Sequence, residues 1–227
     1  MIEPMNDWLP MDETQSRVQI ESILQLLGES PLDIIDVGCG DGRILIPLAV
    51  AGHRVTGIDV DVNAINACSN RCADLDIDAS LMDGNLFDLL PFSGSVDAIV
   101  CCGQTFMLLA DVDEAVKALN LFHTSLRKGG MVILDDIPGD LWPEVALGRW
   151  ANGVNEEGTL QFVWAKDDAV FAIREGDQVD EECWTLKESD HKVRLWTRGA
   201  LALAAKLSDL SAPTVQVEGA VLVMRAL

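Results

Sequence analysis

Largely apolar segments alternate with amphipathic segments five times between residues 32 and 135 of this 227-residue chain. The apolar segments are four to six residues long and read LDIIDV, HRVTGI, ASLM, VDAIVC and MVILD. Strands that are apolar along most of their length are typical of a parallel sheet buried on both faces. The pattern therefore predicts a doubly wound α/β fold built on a mostly parallel, seven-stranded sheet.

After Trp150 the pattern changes to short, partly alternating runs that are separated by polar turns such as KDD and EGDQ. This change indicates antiparallel hairpins. A last helix is predicted over about 198–209, and two final strands return to the main sheet. We expect a single domain (1–227) whose core comprises about 1–150 and 198–227, with an inserted antiparallel β layer at about 158–197.

Charge and composition restrict the function. The chain has 37 acidic and 16 basic residues, a formal net charge of -21, which would repel a polyphosphate. Nucleic acid is therefore not an expected partner, and a cationic or neutral small molecule is. No signal-peptide pattern opens the chain, and no apolar run approaches the roughly 20 residues that span a bilayer. We expect a cytoplasmic monomer or homodimer that does not associate with membranes.

Metal binding is not expected either. The six cysteines form no CxxC pair and have no histidine at ligand spacing. Cys68 and Cys72 share one predicted helical face with Ile65, which favours a role as core thiols.

The segment DVGCGDGR, residues 36–43, follows the first predicted strand, where parallel sheets of this kind bind ligands. Its glycines at every second position permit a sharp turn and close approach of a ligand to the backbone. A dinucleotide fingerprint requires glycine at position 43, which is Arg43 here. The acids Asp36 and Asp41 are also unfavourable beside a pyrophosphate. A cofactor with an amino-acid end and no phosphate suits the turn better.

DVGCGDGR resembles motif I of the class I S-adenosylmethionine-dependent methyltransferases, which have a Rossmann-like fold. The segments GIDVD (57–61), MDGN (82–85), DAIVCCGQTFMLL and LRKGGMVILDD are similar to later motifs of that family and follow in the same order. The resemblance covers about 30–140 and is to bacterial enzymes that act on small molecules.

The resemblance implies S-adenosyl-L-methionine as the cofactor and assigns a role to several acids. Asp59 stands where the family's acid accepts both ribose hydroxyls, a role that suits the paired acceptors of a carboxylate. Asp83 stands where the adenine amine is received, and Val60 would pack on the adenine. The full implied cofactor-binding set is Asp36, Gly38, Cys39, Gly40, Asp59, Val60, Asp83, Gly84 and Cys102.

Methyl transfer from a sulfonium is an in-line displacement, so the enzyme contributes mainly alignment and exclusion of water. A general base is needed only when the nucleophile keeps its proton. We expect the acceptor above the ends of the fourth and fifth strands, with His191, Asp136 and Gln104 as the candidate catalytic residues. Aromatic side chains there favour an amine through cation–π contacts, although the same tryptophans fit the core of a small β layer. The aromatic candidates are Phe106, Trp142, Trp184 and Trp196.

Asp7, Trp8 and Met11 precede the first helix, and the resemblance implies that they fold over the cofactor; a loose terminus is the alternative.

The predicted function is therefore methyl transfer to a nitrogen or oxygen of a small molecule, with nitrogen favoured. Two alternatives stay open: an NAD-dependent oxidoreductase, and a non-catalytic partner protein that keeps the cofactor fold.

Overall fold

The computed structural model describes residues 13–91, 96–136, 151–217 and 220–227. The described helices are α1 (Glu13–Leu27), α2 (Leu45–Val50), α3 (Val62–Asp74), α4 (Leu86–Leu89), α5 (Val112–Ser125) and α6 (Arg198–Lys206). The strands are β1 (Asp33–Val37), β2 (Arg54–Asp59), β3 (Ser80–Asp83), β4 (Val96–Cys101), β5 (Leu126–Leu134), β6 (Gly153–Val154), β7 (Leu160–Trp164), β8 (Val170–Glu175), β9 (Lys192–Arg194), β10 (Thr214–Val217) and β11 (Val221–Arg225). Short 3-10 turns lie at Thr105–Leu108 and Gly176–Gln178.

Seven of the described strands form the main sheet in the order β10-β11-β5-β4-β1-β2-β3. Strands β1 to β5 run parallel to one another, whereas β11 is antiparallel to both β5 and β10. The chain proceeds from β1 outward to β3 and then returns to the other side of β1 as β4. The order reverses beside β1, which is where open α/β sheets bind ligands. The predicted mostly parallel α/β fold is confirmed.

The central strands β1 and β4 of the main sheet are buried on both faces because consecutive side chains enter opposite cores. Ile35 and Ile99 pack with α5 and α6, whereas Ile34 and Val100 pack with α1, α2 and α3. All four side chains are at most 1% exposed. Full burial of such a side chain contributes about 1.5–3 kcal/mol, so these two cores fix the positions of the strand ends.

The remaining four strands form an antiparallel sheet in the order β6-β7-β8-β9, as the hairpin pattern predicted. Phe171, Val193 and Leu195 on this sheet pack against Met107, which lies in the 3-10 turn after β4. The inserted sheet is thereby attached beside the carboxyl ends of the main strands. The division into a core and an insert at the boundaries given above stays a prediction.

The sequence also predicted the separate elements, with several displaced boundaries. Strand β5 begins at Leu126, five residues before the predicted segment MVILD, and α6 ends at Lys206 rather than near residue 209.

Aspartate at position 61, before an amphipathic segment, predicts a helix cap. In the structure Asp61 does cap α3, because its carboxylate accepts a hydrogen bond from the backbone N–H of Asn63. The sequence also predicts a helix from about Asp41 to Ala51, but α2 begins at Leu45, because the glycine turn extends through residues 41–44. Within the described residues, no helix is long and apolar enough to cross a membrane.

An ion-pair network joins the amino ends of β1, β2, β4 and β5. The Asp33 carboxylate accepts from Arg54 Nε at 2.6 Å and from an Arg127 guanidinium nitrogen at 2.7 Å. Asp97 accepts from the same guanidinium and from the backbone N–H of Asp33. The Arg54 hydrogen bond is the main reason that the pKa of Asp33 falls to about 2. Asp33 therefore stabilises the fold as a carboxylate.

We predict that Asp33→Asn lowers the melting temperature by a few degrees at pH 7. The folded pKa of about 2 lies below the ordinary 3.8, so the contribution of Asp33 is present above pH 3.8 and declines as the pH falls toward 2. Thermal unfolding followed by circular dichroism between pH 7 and pH 2.5 measures this difference. Asp78→Asn, at an exposed position, is the control; equal shifts in both variants would contradict the prediction.

Candidate active site

The glycine turn after β1 lies against the end of β2, where the backbone N–H groups of Gly38 and Cys39 both donate to the carbonyl of Ile58. All three glycines have positive φ: +73° at Gly38, +54° at Gly40 and +92° at Gly42. Side chains rarely adopt this conformation, which accounts for glycine at alternate positions.

The three glycines differ in what surrounds them. A Cβ at Gly38 would overlap the side chain of Thr105, and one at Gly42 would overlap Cys68 and Ile46. A Cβ at Gly40 would meet no atom of the described residues within 4 Å. The open side of the turn is therefore at Gly40, and that backbone is accessible to a ligand.

Asp59, at the end of β2, holds the turn in place. Its carboxylate accepts from the backbone N–H of Gly40 at 2.8 Å and from that of Asp61 at 2.9 Å. Asp83 is its register partner at the end of β3, and Gly84 donates its N–H to the Asp59 carbonyl. The structure thus brings these predicted cofactor residues to one edge.

Two of the predicted residues on this edge face solvent. Asp83 is exposed, and Val60, directly after Asp59, is 69% exposed. Exposed apolar and acidic groups beside the turn are accessible to a bound molecule, as the predicted adenine contacts require.

Asp36 lies beneath the turn and is only 2% exposed. Its Oδ2 has no hydrogen-bond partner within the part of the chain that the structure describes. Burial raises the pKa of this carboxyl to about 7, against the opposing charge of Arg43, and the neighbouring Asp59 adds to the rise. A buried carboxyl with one unpaired oxygen would be stabilised in its charged form by a cationic group of a ligand.

The predicted cysteines are buried thiols. Cys39 and Cys102 are 5% and 3% exposed, and burial is the main cause that raises the pKa of each. The Cys102 thiol donates to the carbonyl of Ile133, and the Cys39 sulfur lies where a Cβ on Gly57 would stand. Both side chains are neutral packing groups, so only their backbone can contribute polar contacts to the turn.

The loop after β4 is fixed to the end of β5. Gly103 and Gln104 both have positive φ, +75° and +66°, and both donate their backbone N–H groups to the Asp135 carboxylate, at 3.1 and 2.7 Å. Burial raises the pKa of Asp135, and these hydrogen bonds oppose the rise. Thr105 Oγ1 donates to the Cys102 carbonyl, which completes the loop.

Gln19 of α1 connects this loop to the glycine turn, and the sequence reasoning missed it. The side chain is completely buried; its amide nitrogen donates to Asp135 at 2.7 Å and to the Ala220 carbonyl at 3.0 Å. Its amide oxygen accepts from Arg43 at 2.8 Å. One signal for it was present in the sequence. Gln19 lies four residues before Ile23, so it falls within the apolar stripe of α1, where a polar side chain is buried and needs partners.

Asp136, a candidate catalytic residue, is 5% exposed and lies directly after Asp135. Both of its oxygens accept hydrogen bonds from the Arg198 guanidinium at the start of α6, at 3.0 and 2.5 Å. The nearby rings of Phe106 and Trp196 are 5.5 Å apart. Asp136 is therefore at the predicted edge, with its charge paired.

His191, a second candidate, lies at the exposed start of β9, and partial desolvation lowers its pKa. The segment before it is fixed by Arg174, which is 2% exposed. The guanidinium of Arg174 donates to the carboxylate of Asp190 and to the carbonyls of Cys183 and Thr185. Strand β9, which begins directly after His191, contacts the 3-10 turn after β4.

Some predicted residues lie outside the described part of the chain: Asp7, Trp8, Met11 and Trp142. Across the described ranges, no group of three or more His, Cys, Asp or Glu side chains is placed to hold a metal ion.

Residues 34–130 match the family described as "Methyltransferase domain". A curated relative, the cypemycin N-terminal methyltransferase of Streptomyces sp, is 31% identical over 108 residues, which are 46% of this chain and 43% of the relative. The alignments with the first curated relatives cover about half of their lengths or less.

Two solved structures have the same fold over nearly the whole chain. The PH0226 protein from Pyrococcus horikoshii OT3 superposes with a TM-score of 0.71 at 14% identity, over 100% of this chain and 97% of the other. An S-adenosylmethionine-dependent methyltransferase from Clostridium acetobutylicum ATCC 824 superposes with a TM-score of 0.69 at 15% identity, over 95% and 92%. Residues 34–130 of this chain therefore match a methyltransferase-domain family, and the chain has the fold of the Clostridium methyltransferase.

Proposed function

We propose that this protein transfers a methyl group from S-adenosyl-L-methionine to a nitrogen or oxygen of a small molecule by direct in-line displacement, with nitrogen favoured. The observation that carries the proposal is the Asp59 carboxylate, which is held against the open glycine at position 40. The predicted cytoplasmic location and monomeric or homodimeric state belong to the same proposal. The methyltransferase fold of the Clostridium structure supports it.

The residues of the edge fit the proposed cofactor. Asp36 has a buried, unpaired oxygen for the cationic amino-acid end, and Gly40 leaves room above the turn. The carboxylate of Asp59 has paired acceptors for vicinal hydroxyls, while Asp83 and Val60 flank it for the adenine. When bound, S-adenosylmethionine supplies a methyl group that its sulfonium already activates.

The same edge is a poor fit for NAD. Two acids, Asp36 and Asp41, were predicted from the sequence to be unfavourable beside a pyrophosphate, and only one of them keeps that effect in the structure. The Asp41 carboxylate is paired with Arg71 at 2.6 Å, so its charge is largely compensated. Asp36 still disfavours NAD, because a pyrophosphate would have to lie above this buried acid. Arg43 occupies the position of the third fingerprint glycine, and its guanidinium is directed to Ser16 and Gln19 of α1.

An amine acceptor is favoured by charge and by one relative. The net charge of -21 attracts cations, and the named substrate end of the Streptomyces relative is an N-terminus. An ammonium acceptor must lose a proton before its nitrogen can attack, so a base is useful. Gln104 and Asp136 would orient the acceptor.

His191 is the proposed base. Its lowered pKa keeps the imidazole neutral and able to accept a proton at pH 7. His191 directly precedes β9, and Val193 of that strand packs with Met107 in the turn after β4, which supports a position near the acceptor edge.

We predict that S-adenosylhomocysteine binds in isothermal calorimetry and that NADH does not. Asp59→Asn should weaken S-adenosylhomocysteine binding at least about tenfold, because charge-assisted hydrogen bonds contribute about 1.5–3 kcal/mol each. The matched control is Asp97→Asn at the opposite edge of the sheet. NADH binding without any response to S-adenosylhomocysteine would favour the oxidoreductase alternative.

We predict that Asp36→Asn stabilises the protein while weakening S-adenosylhomocysteine binding. The folded pKa of about 7 exceeds the ordinary 3.8, so ionised Asp36 increasingly destabilises the empty fold as the pH rises from 4 to 7. The variant should melt several degrees above wild type at pH 8 and equally at pH 4. Calorimetry should also show wild-type affinity rising from pH 6 to pH 8. A less stable variant at pH 8 would contradict this account.

We predict turnover with members of a panel of primary and secondary amines, assayed by S-adenosylhomocysteine formation. His191→Gln should lower kcat about 100-fold, the lower range for general-base catalysis, whereas the exposed neighbour Lys192→Ala should not. Turnover confined to hydroxylated compounds would reject the preference for nitrogen. A non-catalytic partner protein would give no turnover, and Asp59→Asn would leave its cellular role unchanged.

A further inference from the structure

The loop after β4 contains an unusual backbone conformation. Gln104 has φ +66° and ψ 7°, in the left-handed region. Of the described residues, only Asp76 and Asp209 share a positive φ without being glycine, and aspartate tolerates this region through local hydrogen bonds. Glutamine has no such advantage and costs about 1–3 kcal/mol in a sparsely populated region. Something must therefore hold Gln104 in place.

Asp135 supplies the restraint. The consecutive N–H groups of Gly103 and Gln104 converge on its two carboxylate oxygens, so each oxygen accepts one of them. Successive N–H groups in such a turn form a concave anion site, which the Asp135 carboxylate fills here. The shape of the loop depends on a side chain that is more than 30 residues away in sequence.

Asp135 is itself restrained from the cofactor side. Buried Gln19 donates to the same carboxylate that binds the loop and accepts from Arg43, the residue after Gly42. The hydrogen bonds thus run without a gap from the glycine turn through Gln19 and Asp135 to Gln104.

A second contact joins the same two segments. The side chain of Thr105 occupies the space that a Cβ on Gly38 would require. The loop after β4 is therefore fixed to the glycine turn at two separate points, by packing at Thr105 and by hydrogen bonds through Asp135.

We propose that Asp135 is a positioning residue that aligns the Gly103–Gln104 loop, and with it the acceptor, against the cofactor turn. This inference rests on the proposed methyl transfer. In-line displacement depends steeply on alignment, and a misplacement of about 1 Å can cost 100-fold in rate. Asp135 acts through the loop and does not touch the reacting atoms.

The test uses Asp135→Asn. Its amide NH2 can only donate, so one of the two loop N–H groups would face a second donor and lose its hydrogen bond. Expected results are faster hydrogen exchange at the amides of Gly103 and Gln104 by NMR, and a 10- to 100-fold fall in kcat with the best amine of the panel. The KM for that amine and the Kd for S-adenosylhomocysteine should change less than threefold. Asp33→Asn, the same substitution at the opposite end of the sheet, should leave exchange and kcat unchanged.

A rescue variant separates positioning from a general loss of structure. Asparagine adopts the left-handed region more readily than glutamine and keeps the amide. Gln104→Asn in the Asp135→Asn background should therefore recover at least threefold in kcat and restore part of the exchange protection. Rescue without any change in melting temperature supports the positioning role.

The outcomes distinguish the two proposals. An active wild type together with unchanged kcat and exchange in Asp135→Asn would overturn the positioning role alone. A kcat loss that the Gln104→Asn variant does not rescue and that follows the melting temperature would also overturn it. A wild type that neither binds S-adenosylhomocysteine nor turns over any acceptor would reject the proposed function itself.

Discussion

The carboxyl ends of parallel strands meet on one edge of a sheet, and in this protein that edge collects acids. Asp36, Asp59, Asp83 and Asp135 all lie on or just after a strand there. Like charges at close range repel, so each buried acid must be neutralised or given donors. Backbone N–H groups of the glycine turn and of the loop after β4 donate to Asp59 and Asp135, whereas burial raises the pKa of Asp36 to about 7. The two loops that would meet cofactor and acceptor take their shapes from these acids.

Much of this architecture could be predicted because it depends on local patterns. Apolar strands and amphipathic helices follow patterns that repeat over short intervals, and each lies within about five residues of where the sequence indicated. The Asp61 cap is likewise a local feature. Cys68 and Cys72 are buried core thiols, as their helical spacing predicted. The predicted start of α2 was wrong, because the glycine turn before it has no periodic pattern from which its length could be judged.

The remaining features depend on pairings between distant residues. Gln19 and Asp135 are separated by 116 positions, and nothing near either residue indicates the other. Gly38 was assigned to the cofactor alone, yet its missing Cβ also makes room for Thr105 on a different strand's loop. A glycine in this motif can therefore be required by a ligand or by the packing of a neighbouring loop. A single sequence does not distinguish these two requirements.

Arg174 is a useful point for protein engineering. Among the described residues, its hydrogen-bond partners lie between residues 161 and 190, so these bonds hold the long loop of the insert from within the insert itself. Trp184, on that loop, is 39% exposed and is not among the partners of Arg174. Substitutions at such outward positions can therefore be made while the hydrogen bonds that hold the insert together stay in place.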